Sequence, residues 1–143
     1  MRMFSLGLLF FSSLAGASPE NLVLNFKGLR SGEGYLAVSI FAEAERSAYP
    51  GKAEKATKTL YIALEGRTEV SASVSELPTG RYAVAVMHDE DGNKELKTGL
   101  FGIPREGFGF SNNPTVYFGA PSFDKVSFDT GQKDSIDVNI KYF

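Results

Sequence analysis

Apolar side chains recur at every second position through most of the chain, the pattern of strands with one buried face. Residues 21–27 place Leu22, Leu24 and Phe26 on one side, and residues 34–41 do the same with Leu36, Val38 and Ile40. The glycine-rich link between them, residues 28–34, predicts a hairpin turn. Leu60, Ile62 and Leu64 alternate against Tyr61 and Ala63, and Gly66-Arg67 makes a short turn. Val70, Ala72 and Val74 then alternate against Ser71, Ser73 and Ser75, so this strand offers a hydroxyl face to solvent. Leu77-Pro78-Thr79-Gly80 carries the chemistry of a type I turn and leads into a strand over residues 82–88. There Tyr82, Val84 and Val86 oppose Ala83, Ala85 and Met87. Neither face is polar, which predicts a central strand covered on both sides.

Residues 125–129, with Val126 and Phe128 inward, and residues 135–142, with Ile136, Val138, Ile140 and Tyr142 inward, complete about seven short strands. Residues 42–56 are broken by Pro50-Gly51 and show no apolar stripe at helical spacing, so they read as a surface connection with one helical turn. A recognition loop is the functional reading of that segment. The whole predicts an all-β fold, a two-sheet antiparallel β-sandwich. A membrane barrel is excluded, because Asp137, Asn139 and Lys141 occupy the alternate positions that would face lipid.

The first 17 residues do not belong to that pattern. Arg2 precedes an apolar run from Met3 to Leu14, and Ala15-Gly16-Ala17 follows as a small-x-small cleavage site. The run is too short to span a bilayer, which takes roughly 20 residues. Residues 1–17 are therefore expected to be a signal peptide, and residues 18–143 a single exported domain, periplasmic or extracellular and soluble. The chain has no cysteine, so its core must hold without disulfides. Without Arg2 the domain carries 14 basic and 17 acidic residues, which gives no electrostatic case for nucleic acid or anionic lipid.

The chemistry concentrates between Arg81 and Pro114. Residues 89–114 would form a long connection, and loops beyond about 12–15 residues are uncommon in compact domains unless they serve a function. Leu96, Leu100, Phe101, Ile103, Phe108 and Phe110 supply apolar anchors, and a short strand over residues 98–103 is expected to divide the loop. Asp89, Asp91, Asn93 and Glu95 fall at alternate positions of a tight acidic turn, as calcium coordination requires. Lys94 and Leu100 stand where an EF-hand has its glycine and its bidentate glutamate, so only a looser calcium loop survives. The plainer reading is a solvated turn whose Asp and Asn side chains satisfy their own backbone.

His88, the one histidine, shares parity with Val84 and Val86 and is expected at the rim of the sandwich. Beside three carboxylates it suits a weak zinc or manganese ligand or a general base. The alternative is a strand-end side chain bonded to a neighbouring loop. A nucleophilic centre is poorly supported, although Ser111 lies in the same loop. A glycosidase-like pair drawn from Glu90, Glu95 and Glu106 has no fixed separation. Phe101, Phe108 and Phe110, set among glycines, with Arg105 and Asn112 beside them, offer a platform for an apolar ligand or sugar ring. The favoured reading is that these rings fold inward and plug the open end of the sandwich.

The run LPTGRYAVAVMHDEDGNKELKTGLFGIPREGFGFSNNP resembles a bacterial exported family known as domain of unknown function 2141. The shared pattern is a Leu-Pro-x-Gly turn, a Tyr-Ala-Val strand and a His-Asp acidic turn, then Phe-Gly-Ile-Pro and Gly-Phe-Ser-Asn; Leu77 to Asn113 carry these in order. The resemblance implies a secreted immunoglobulin-like or prealbumin-like sandwich, similar to carboxypeptidase-regulatory domains, with no established activity. Lys94 and Lys97 depart from the family's acidic turn and offset part of its negative field. The expected function is a non-catalytic binding or interaction module for an unknown small molecule or envelope partner, with its site at the rim. The rivals are a metal-dependent hydrolase using His88, Asp89 and Asp91, and a purely structural envelope protein.

Overall fold

The computed structural model describes residues 20–94, 106–117 and 119–143. The apolar N-terminal run, the expected strand over residues 98–103, and Glu95, Leu96, Leu100, Phe101, Ile103 and Arg105 lie outside the described residues.

Two sheets face one another across an apolar core. The first has the order β4-β1-β8, from Val70–Leu77 (β4), Glu20–Lys27 (β1) and Ser135–Asn139 (β8). The second has the order β3-β2-β5-β6, from Lys58–Ala63 (β3), Tyr35–Ala42 (β2), Arg81–Asp89 (β5) and Phe108–Phe110 (β6). A two-residue strand, Phe128–Asp129 (β7), adds to β5 beyond β6. The alternation read from the sequence decides which side chains point inward. Leu22, Leu24 and Phe26 of β1 meet Leu36, Val38 and Ile40 of β2, with Val84 and Val86 of β5 and Ile136 and Val138 of β8 in the same buried cluster. Ser71, Ser73 and Ser75 of β4 are exposed, as their parity requires.

Three local features differ from expectation. Residues 28–34 are not a hairpin turn, because β1 and β2 belong to different sheets. The link crosses the sandwich, and an alternating pattern cannot distinguish that route from a hairpin. The Leu77–Gly80 turn forms a corner between sheets. Gly80 donates its N–H to Thr130 Oγ1 (3.0 Å) and accepts the Thr130 N–H at its carbonyl (3.0 Å), which ties the corner to the chain after β7. Residues 125–129 are not one strand: Phe123–Val126 is a single helical turn (α1), capped by the Ser122 side chain, and β7 follows it. Finally, β8 runs parallel to β1, pairing Leu24 with Ile136 and Phe26 with Val138, although every other strand pair among the described residues is antiparallel.

Residues 42–56 form a connection with two short 3-10 helices, Glu43–Ala48 and Ala53–Lys55. The first lies with α1 on the outer face of the five-stranded sheet, where Phe41, Ala48, Ala83, Phe123 and Val126 make a second apolar cluster. Arg46 and Arg81 both bind Asp124 at the surface of this layer (2.8 and 3.0 Å). Strand β5 is therefore covered on both faces at its Ala83 end, as its sequence predicted.

The corner before β5 is braced by Tyr82, whose buried hydroxyl donates to the Pro78 carbonyl (2.6 Å). This is the tyrosine-corner device of β-sandwiches. Tyr82→Phe keeps the ring and strands the carbonyl. It is expected to lower stability by about 1 kcal/mol in urea unfolding, with an unchanged m-value.

Candidate functional site

Strand β5 ends in two polar residues that point opposite ways. His88 has the parity of Val84 and Val86, and Asp89 that of Ala85 and Met87. His88 is fully buried. Its Nε2 lies 2.7 Å from the Glu33 carbonyl and its Nδ1 2.7 Å from the Tyr142 hydroxyl. A carbonyl only accepts, so Nε2 carries the proton and Nδ1 accepts from Tyr142. The Tyr142 oxygen in turn accepts the Arg30 N–H (3.1 Å), and the Arg30 guanidinium stacks over the Tyr142 ring (4.6 Å). Arg30 also binds Glu90, to which Ser31 donates as well (3.3 Å). Burial pushes the Glu90 carboxyl up, but the hydrogen bond and the charge of Arg30, with smaller contributions from its other neighbours, together outweigh it and leave the group below its ordinary value. One connected set of polar groups thus fastens the crossing link, the end of β5 and the C-terminal tail.

On the other face Asp89 is also fully buried. Its Oδ2 accepts from the Tyr61 hydroxyl (2.6 Å) and from the Lys94 backbone N–H (2.8 Å). Tyr61 stacks flat on Tyr35, with ring centroids 4.4 Å apart, and the Lys94 ammonium sits 5.2 Å from the Tyr61 ring centre. The Tyr61 hydroxyl turns in toward buried Asp89. Burial first, and then its bond to the Asp89 carboxylate, push it up to about 12. Gly34 is required here: its φ is +73°, and a Cβ would collide with the Asp89 carbonyl.

Beyond Asp89 the acidic turn folds on itself. Asp91 accepts from the Asn93 N–H (3.3 Å) and Nδ2 (3.2 Å), the local satisfaction that Asp and Asn give a turn. Of the four expected calcium ligands, Asp89 and Asp91 come together, the Asn93 amide nitrogen faces Asp91, and Glu95 lies outside the described residues. The third carboxylate near them is Glu106. Its ligand oxygen and those of Asp89 and Asp91 all lie within 4.8 Å of one another. The β5–β6 register explains this. Met87 pairs with Phe108, and the His88 N–H donates to the Gly107 carbonyl (2.7 Å), so Glu106 falls opposite Asp89. Glu106 stood in the sequence as one carboxylate among many, and only the register brings it to the turn.

Strand β6 also shows what its glycines do. A Cβ on Gly107 would strike the Tyr142 ring and Ile140, and one on Gly109 would strike Val138. The glycines face inward, so that β8 and the C-terminal tail can approach. Phe108 and Phe110 therefore face outward with Met87 and Ala85. They are half-buried and do not plug the sandwich, contrary to the inward reading. Phe110 packs against the second apolar cluster, and Phe108 lies against Phe143 (5.4 Å between centroids).

These rings wall a groove of about 750 Å³ on the outer face of the five-stranded sheet. Ala37, Ser39, Ala85 and Met87 form its floor. Phe108, Phe110, Tyr117 and Phe143 contribute rings to its lining, with Val116, Pro50, Gly51 and Ala53 beside them. Lys94 is the one charged side chain among the described lining residues. The central strand is thus not sealed along its whole outer face: the layer over Ala83 reaches Ala85, which with Met87 lines the groove.

Ser111 and Asn112 serve packing contacts. The buried Ser111 hydroxyl accepts the Val84 N–H (3.0 Å) and bonds the Val126 carbonyl; Asn112 Nδ2 donates to the Lys125 and Ser127 carbonyls (3.1 and 2.8 Å). Together they hold α1 and β7 against β5.

These features describe an all-β sandwich with an apolar groove on one outer face and an acidic turn at the groove's end. The chain belongs to the family described as "uncharacterized protein conserved in bacteria" (DUF2141), whose model matches residues 24–138. No curated protein and no solved structure matches the chain. Among the described residues no helix is long and apolar enough to cross a membrane.

Two outcomes follow from this geometry. His88→Leu keeps the volume but leaves the Tyr142 hydroxyl and the Glu33 carbonyl without their partner. It is expected to cost about 1–2 kcal/mol in urea unfolding. The raised Tyr61 means that the folded chain holds this proton more tightly than the unfolded chain does. Its contribution is whole below the ordinary value near 10 and is lost as pH climbs toward about 12. Tyr61→Phe is expected to make the alkaline fall in melting temperature shallower across that window.

Proposed function

We propose that the protein is an exported, non-catalytic binding module that holds the apolar chain of a small anionic amphiphile in the groove over Ala85 and Met87. The observation that carries this reading is the groove itself: about 750 Å³, lined almost wholly by apolar side chains, on a sheet face whose other end is covered. Ligand sites for small molecules typically enclose about 300–1,000 Å³ and combine apolar walls with a few polar groups. A floor of alanine, serine and methionine side chains with aromatic rings beside it suits the apolar chain of an amphiphile. Lys94 supplies the one charged side chain of the described lining and favours a carboxylate or similar head group. Export is supported by the N-terminal run ending in Ala15-Gly16-Ala17.

The test is displacement of a fluorescent anilinonaphthalene sulfonate probe by a medium-chain fatty acid. Ala85→Trp and Met87→Trp, which fill the floor, are expected to weaken the fatty acid at least about tenfold, or ~1.4 kcal/mol. Lys94→Glu is expected to weaken the fatty acid but not the alcohol of the same chain length. Failure of the wild-type chain to bind the probe, or equal binding by the floor variants, would sink the proposal.

A further inference from the structure

We infer that Asp89, Asp91 and Glu106 form a calcium site at the polar end of the five-stranded sheet. The inference is independent of the amphiphile reading, because it rests on a different set of atoms.

Three observations combine. The ligand oxygens of the three carboxylates converge within 4.8 Å of one another. Two oxygens each about 2.4 Å from a single calcium ion stand at most ~4.8 Å apart, so oxygens this close can share one ion. Secondly, Asp89 is fully buried and its two oxygens differ. Oδ2 takes both the Tyr61 hydroxyl and the Lys94 N–H, whereas Oδ1 has no hydrogen-bond partner among the described residues. A buried carboxylate oxygen without a donor is costly, and a cation is one of the few groups that offsets the cost. Thirdly, the β5–β6 register sets Asp89 directly opposite Glu106, which is itself only 3% exposed. Like charges facing across antiparallel strands destabilise the pair.

The donor set is hard and all-oxygen, which selects calcium over thiophilic or imidazole-seeking metals. His88 contributes nothing to it, since its parity is opposite and both its nitrogens are bonded. Three carboxylates from two segments, completed by water, correspond to a site of moderate strength, with a dissociation constant on the order of 10⁻⁴ M.

Terbium occupies calcium sites and is sensitised by a neighbouring tyrosine, and Tyr61 touches Asp89 directly. Titration of the purified protein with terbium is therefore expected to give saturable tyrosine-sensitised luminescence. Calcium should displace it with a midpoint near ~10⁻⁴ M, and magnesium at the same concentration should not. Glu106→Gln and Asp91→Asn are expected to weaken terbium at least about tenfold. Asp91 is exposed, so its variant tests the site without disturbing the core, and circular dichroism verifies that both variants are folded. Absent luminescence, an unchanged midpoint in folded Asp91→Asn, or equal displacement by magnesium would each overturn the assignment.

Discussion

Strand β5 separates two environments, and the rest of the molecule is arranged around that division. Its inward residues, Tyr82, Val84, Val86 and His88, face the sandwich core. Its outward residues, Ala83, Ala85, Met87 and Asp89, pass from a covered apolar cluster through an open groove to a buried carboxylate. Strict alternation of side chains along a strand makes these two series inseparable. A one-residue slip against β2 would send His88 outward and Asp89 into the core. The eight-pair ladder from Tyr35–Asp89 to Ala42–Tyr82 prevents that slip.

The polar end of β5 is held on both faces by groups from distant parts of the chain. On the core side the Glu33–His88–Tyr142–Arg30 set fills every hydrogen-bonding position of the imidazole. A fully buried histidine bonded at both ring nitrogens defines local geometry, because the groups facing it admit few arrangements of donor and acceptor. On the outer side the Tyr61 hydroxyl and the Lys94 N–H both bond Asp89 Oδ2 and leave Oδ1 without a hydrogen-bond partner among the described residues. The sandwich thus presents a buried, held carboxylate beside the acidic turn, and β6 brings Glu106 to the same place.

Much of this was legible in the sequence, for reasons that can be named. Period-two alternation located β1 to β5 and β8 and their buried faces, because burial of one face is what the pattern records. The two apolar faces of residues 82–88 marked β5 as central. The same pattern contains nothing about which sheet a strand joins, so the Gly28–Gly34 link resembled a hairpin, and the parallel pairing of β1 with β8 was invisible. The phenylalanines of β6 were placed on the wrong side. Their glycine neighbours suggested backbone freedom, whereas Gly107 and Gly109 are small so that Ile140, Tyr142 and Val138 can press against them. The turn carboxylates Asp89 and Asp91 were identifiable by spacing, but Glu106 reaches them through a strand register that no local motif encodes.

The parallel pairing of β1 with β8 has a consequence for how the chain reaches its native state. Asn25 on β1 bonds Asp137 on β8 across 112 residues of sequence, and the Ile140 N–H reaches back to the Lys27 carbonyl. One edge of the first strand therefore has no partner until nearly the last residue is present. Long-range closure of this kind is slow, since the entropy of the intervening loop is lost before the contact stabilises anything. A chain emerging end-first from any pore or tunnel would hold its β1 edge open for that whole interval. Completion of the three-stranded sheet is then a late step, timed by arrival of the C-terminus.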